Sequence, residues 1–152
     1  MNRMTSQDCF ICRKHKGELY VHGGCIYEDE WVYAGHIGAN DPLVYLGYLI
    51  VDVKRHVAGY GDLSDEEARA IGAIANKLGR ALKSTEGAEH LYSFVHGDAF
   101  PHFHIHLIPR YPGTPASYWH PTLIRDYSGV RGTAEEVEAL CSRLRGALQH
   151  DS

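Results

Sequence analysis

The chain has 152 residues, enough for one domain with a sizeable core, and its 44% apolar and 22% charged residues are those of an ordinary globular protein. A net charge of −4 supplies no broad basic field, which argues against duplex nucleic acid as the main partner. No apolar run reaches the ~18 residues of a membrane span, and Met1 to Asp8 lack the apolar stretch of a secretory signal, so no membrane is expected and the chain reads as cytoplasmic.

Residues 1–8 read as a flexible tail and residues 9–152 as one domain. Cys9-Phe10-Ile11-Cys12 forms a short knuckle before the polar residues 13–17. Three roughly alternating runs, Glu18 to His22, Cys25 to Glu28 and Trp31 to His36, predict an antiparallel meander broken at Gly23-Gly24 and Asp29-Glu30. Residues 38–42 make a loop, and the almost wholly apolar run Val44 to Val53 predicts a central strand covered on both faces. Ser64 and Glu67 form a capping box for a long helix, with Ile71, Ile74, Leu78 and Leu82 on one face and Gly87 beyond its end. Leu91 to His96 reads as a strand, the loop Gly97 to Pro101 turns, and a second strand follows until Tyr111-Pro112-Gly113 stops it. After an irregular aromatic stretch, Thr133 and Glu136 cap a C-terminal helix with Val137, Leu140, Cys141, Leu144 and Leu148 on one stripe. The sum is an α+β fold: one antiparallel sheet with a long helix and a C-terminal helix packed on it.

The strand after the loop is His102-Phe103-His104-Ile105-His106-Leu107-Ile108. Strand alternation puts the three imidazoles on one face and Phe103, Ile105 and Leu107 on the other, with His102 and His106 about 13 Å apart. Rings in such a row do not converge on one metal ion and suit separate tasks. A histidine-carboxylate oxygenase centre, with Asp98 as the carboxylate, is the rival reading. Imidazole is partly neutral near pH 7 and is a good nucleophile. Cys9 and Cys12, with two residues between them, can chelate one ion in a tight turn, and zinc sites of this kind are often completed by two histidines. Cys141 reads as a core residue and Cys25 is given no role.

The pattern His-φ-His-φ-His-φ-φ resembles that of the histidine triad family. Gly47 to His56, with its basic pair and histidine, Asp62 to Glu67 at the helix entry, and Pro109-Arg110-Tyr111 extend the resemblance over residues 9–111, leaving 112–152 as a C-terminal tail and helix. The resemblance implies that His104 is a nucleophile toward the α-phosphorus of a nucleotide, through a covalent nucleotidyl-histidine. His106 then contacts the phosphate or leaving group. It implies a structural zinc held by Cys9, Cys12, His56 and His102, with His15 or His22 as substitutes for one histidine. It also implies a purine nucleotide or nucleotide conjugate as ligand, and a homodimer. Asp98, Phe100 and Arg110 are expected to meet the substrate, Lys54-Arg55 to flank it, and Phe10, Trp31 and Tyr33 to line a base pocket. His36 and Asn40-Asp41 lie near where relatives hold the ribose, and Trp119 and His120 in a tail that in relatives bears on substrate choice or on a dimer interface. Two positions depart from many relatives: Asp98 and Ala99 stand where glutamine and a hydroxyl residue are usual. That departure motivates a second reading, a nucleotide-binding or adaptor protein with weak or no catalysis.

Overall fold

The computed structural model describes residues 5–38 and 41–151; Asn40 and the first four residues of the expected tail lie outside them. Five strands form one antiparallel sheet in the order β1-β2-β4-β6-β5, from Cys25–Glu28, Val32–His36, Leu49–Val53, His104–Arg110 and His90–Phe94. A two-stranded ribbon pairs β3, Val44–Tyr45, with β7, Arg131–Gly132. The helices are α1, Phe10–His15, α2, Asp65–Glu86, and α3, Ala134–His150.

Three expectations change. Glu18 to His22 forms no strand, because Gly17, Gly23 and Gly24 take φ of 77°, 91° and 62° and turn the chain back. At Gly23 a β-carbon would collide with Cys141 Sγ. The run Val44 to Val53 is two strands, not one, broken at Gly47 with φ 84°. There a β-carbon would strike the Tyr111 hydroxyl, which donates to Leu46 O at 2.8 Å and fixes the corner. The triad strand begins only at His104, so His102 stands before it on a bend.

The two faces of the sheet have different tasks. Leu49, Val51, Val53, Ile105 and Leu107 are buried on one face against Ile71, Ile74, Leu78 and Leu82 of α2. Val137, Leu140, Cys141 and Leu144 of α3 complete that core. Burying these side chains, at about 1.5–3 kcal/mol each, is the main force holding the helices on the sheet. Both helices start at the expected capping boxes, Ser64 with Glu67 and Thr133 with Glu136, and Gly87 ends α2 at φ 74°. The alternate residues face the other way and form a grid. Tyr33, Asp52 and His104 lie side by side across β2, β4 and β6; Gly35, Ile50, His106 and Phe94 make the next row. This second face carries the chemistry.

Candidate active site and metal centre

Cys9 caps α1 and Cys12 lies one turn on, so the helix turns both sulfurs inward, where the residues are 0% and 7% exposed. His56 follows β4, and His102 precedes β6. One donor atom from each of Cys9, Cys12, His56 and His102 lies within 4.8 Å of all the others. His102 Nδ1 is 3.5 Å from Cys9 Sγ, 3.4 Å from Cys12 Sγ and 3.2 Å from His56 Nδ1, and Cys12 Sγ is 3.4 Å from His56 Nδ1. Zinc–sulfur and zinc–nitrogen bonds of ordinary length place tetrahedral ligand atoms about 3.3–3.8 Å apart, so these edges fit the ion. His102 Nε2–H donates to Val53 O at 2.5 Å, which leaves Nδ1 as the ligand atom and orients the ring. Burial and the neighbouring Cys9 push the Cys12 thiol up to about 11, a penalty that a divalent cation removes by holding both sulfurs as thiolates. The donor set and its spacing define a structural zinc site. Four protein ligands leave no open position for chemistry on the metal. His15 is near but engaged elsewhere, and His22 faces Glu138 instead.

Beside this site, His104 and His106 open into a cleft of about 340 Å³. Phe10, Ile11 and Lys14 of α1 form one wall, with Phe100 from the loop before the triad, whose ring is 5.9 Å from that of Phe10. Val21, His36, Ile37, Gly38 and Ile50 form the other side. His104 Nδ1–H donates to His102 O at 2.7 Å, so the Nε2 lone pair is left for the cleft. His106 is held differently. Its ring stacks on Phe94 at 4.6 Å and 7°, and its Nδ1 is 2.7 Å from the Tyr48 hydroxyl. His106 Nδ1 is the acceptor within reach of the Tyr48 hydroxyl hydrogen among the described residues, so the phenol donates to it and Nε2 carries the ring proton. Burial first, then His104, His96 and Arg125, push His106 down to about 4, so it is neutral. The two rings, 5.0 Å apart, thus present an acceptor and a donor to the same space.

Asp52 is fully buried, and its Oδ2 takes Lys14 Nζ at 2.5 Å and His15 Nε2 at 3.2 Å. Burial opposes the charge, but His15 and Lys14 outweigh it and hold the carboxyl below its usual range. His36 is buried and pushed down to about 4 by that burial; its Nδ1–H donates to Ile37 O and its Nε2 accepts from Gly47 N–H.

Other predicted residues are placed elsewhere. Arg110 pairs with Glu89, donates to Tyr92 and lies 3.9 Å over the Trp119 ring, while Lys54 pairs with Glu28 and Arg55 with Glu67. Asp98 is exposed and does not line the cleft, nor do Trp31 and Tyr33. The Tyr33 ring is covered by His15 and Lys14. Asp41 lines a neighbouring hollow with Tyr48 and Arg125. Lys14, Tyr48 and Asp52 are site residues that the sequence reading passes over. For Asp52 a signal existed, an acid inside an otherwise apolar strand. A larger hollow, about 640 Å³ between α2 and α3, shares no residue with the cleft.

An α+β sheet protein with a histidine-lined cleft beside a Cys₂His₂ zinc site is thus defined. The profile of the HIT domain matches residues 21–113, more than half of the chain, and the chain belongs to that family. A zinc-bound histidine triad family protein from Mycobacterium smegmatis has a similar fold, with TM-score 0.70 and 22% identity over 96% of each chain. A hypothetical histidine triad nucleotide-binding protein from Sulfolobus tokodaii gives TM-score 0.71 and 21% identity over 93% of each chain. A Hit-like protein of Bartonella henselae involved in cell-cycle regulation gives 0.70 and 18% identity over 95% of this chain and 99% of its own. No curated protein matches the chain.

Proposed function

We propose that the protein binds a purine nucleotide or nucleotide conjugate and hydrolyses or transfers its nucleotidyl group at the α-phosphate. The observation that carries this is the His104 ring, anchored by its Nδ1–H on His102 O with Nε2 turned to a cleft it shares with His106. His104 Nε2 attacks the α-phosphorus as the bond to the leaving group breaks; the leaving group departs hydrogen-bonded to His106 Nε2–H and takes its proton from solvent. Water then attacks the nucleotidyl-histidine and gives one proton to solvent, the N–P bond breaks to restore the neutral His104 ring, and a nucleoside monophosphate is released. The His102 carbonyl favours the positive charge that His104 acquires on attack. Zinc, when bound, supplies cross-linking only, fixing α1 and the start of β6. The apolar walls from Phe10, Val21, Ile37 and Phe100 suit a purine ring.

A mixed pool of adenosine phosphoramidate, diadenosine polyphosphates and nucleotide sugars tests the reading. The native protein is expected to release a nucleoside monophosphate from one of them, and His104→Ala to lose roughly 10³-fold or more of that rate with its melting temperature kept. Full turnover by His104→Ala would overturn the nucleophile. The second reading, a nucleotide-binding protein without turnover, draws on Asp98 and Ala99, which bring no hydroxyl to the loop before the triad. It predicts ligand affinity with nothing consumed. We also read the protein as a cytoplasmic homodimer, for which light scattering would give twice the chain mass. No helix among the described residues is long and apolar enough to cross a membrane.

A further inference from the structure

The reaction above needs a proton for its leaving group, and the ring that holds that group cannot give one. His106 is neutral, and parting with its Nε2 hydrogen would leave an imidazolate anion. Four rings lie against His106 among the described residues, those of Tyr48, Phe94, His96 and His104. The Tyr48 hydrogen is committed to His106 Nδ1, Phe94 has none to give, and His104 is the nucleophile. Lys14, on the cleft wall, is held by Asp52 Oδ2. His96 is what remains. β5 ends at Phe94, which pairs with His106 across the strands, and two residues further on the chain returns a side chain to the same face. There the His96 ring meets His106 edge to face, with centroids 5.7 Å apart at 72°, and lies 4.9 Å from the Phe94 ring. His96 is exposed, and neither of its ring nitrogens has a hydrogen-bond partner among the described residues. It touches the ring that holds the leaving atom and it also meets solvent, the two contacts that a proton carrier requires.

We propose that His96 is a third catalytic histidine, which stands in for solvent by carrying the proton to and from the reacting atoms. The inference rests on the nucleotide reading above and adds a residue to it. Imidazole is the side chain that takes up and releases a proton near neutral pH. In the first step the bond from His104 Nε2 to phosphorus forms, and the electron pair of the breaking bond goes to the leaving atom. Protonated His96 gives that atom its proton. In the second step neutral His96 takes the proton that the attacking water loses, and the N–P bond returns its pair to His104 Nε2. Both rings end as they began. The deeper His106 stays neutral and only donates a hydrogen bond, while the exposed His96 changes charge where water can reach it. An aliphatic amine cannot leave phosphorus without such a proton, whereas a nitrophenolate leaves as the anion. The contribution of His96 is therefore confined to poor leaving groups.

The test is single-turnover release of the leaving group, with protein in excess, from two derivatives of adenosine 5′-monophosphate: its N-ethyl phosphoramidate and its p-nitrophenyl ester. Reading the first step alone keeps hydrolysis of the nucleotidyl-histidine out of the comparison. His96→Gln keeps a polar side chain at this exposed position and removes the titrating ring. It is expected to slow ethylamine release by about 100-fold and nitrophenolate release by no more than about threefold. A merely structural part for His96 would slow the two alike, because a misplaced His104 or His106 serves both substrates. Equal losses, or no loss on the amidate, overturn this inference and leave the nucleotide reading standing. Release of neither group by the native protein overturns both together.

Discussion

Tyr48 does for His106 what the His102 carbonyl does for His104: each takes one ring nitrogen and thereby decides what the other presents. Tyr48→Phe keeps the ring and its packing but removes the hydrogen that fixes the His106 tautomer. Loss of one such bond is worth about 1 kcal/mol, so turnover should fall by roughly fivefold while the melting temperature moves little. Unchanged turnover would show that the tautomer is set some other way. His36 gives a different expectation, in stability. Its folded value of about 4 lies below the ordinary ~6.5 of an unfolded histidine, so between these two values the unfolded chain takes up a proton that the folded chain refuses. Stability is therefore full above about pH 6.5, falls toward pH 4 by about 1.4 kcal/mol per pH unit from this group, and levels below. His36→Gln cannot titrate, and urea melts over this range should show a shallower slope than the native protein. At this scale the pairing of Cys9 with Cys12 and the shared face of His104 and His106 were legible from their spacing. Lys14 was not, since it resembles an ordinary surface residue, and Asp52 showed only as an acid inside an apolar strand until a helix and a strand far apart in sequence are brought together.

Among the elements, α1 is short for its importance. Its six residues could not hold a helix in isolation, since nucleating the first turn costs more than so few hydrogen bonds return. It is pinned by Cys9 and Cys12 at one end and by Lys14 and His15 on Asp52 at the other. Cys12→Ser should lower zinc from about one per chain to near none by elemental analysis, and weaken nucleotide binding along with it, because Phe10 and Ile11 lose their support. A protein that stays metal-free yet binds its ligand normally would contradict the role given to the knuckle. The long helices were readable from caps and apolar stripes to within a residue or two. The break in Val44 to Val53 was not, because only the approach of Tyr111 and Pro109 shows why position 47 must be glycine with positive φ. The in-line row of three imidazoles failed for a similar reason. Alternation held for His104 and His106, but His102 stops short of the strand and is drawn back to the zinc site and Val53 O.

The molecule as a whole separates what holds it from what it does. Core contacts lie on one side of the sheet and the cleft on the other, with the strands as the shared wall. Leu144→Ala, fully buried in α3, should cost about 2–5 kcal/mol in urea unfolding and leave nucleotide affinity unchanged at temperatures where the protein stays folded. A matched loss of affinity would mean that the two faces communicate through the sheet. The α+β class was legible because each face is written in its own alternation, apolar residues at 49, 51 and 53 against Ile50 and Asp52 between them. Which cleft residues would meet depended on strand order, and no local pattern encodes that β4 lies beside β6.

One helix serves both the zinc site and the cleft, and so links two kinds of vulnerability. An oxidant or chelator that reaches Cys9 and Cys12 removes a wall of the cleft while leaving His104, His106 and their anchors chemically untouched. The thiols are nearly sealed from solvent, so such an agent must wait for α1 to lift. A tightly held nucleotide, by keeping that helix down, would in turn shield the metal from removal.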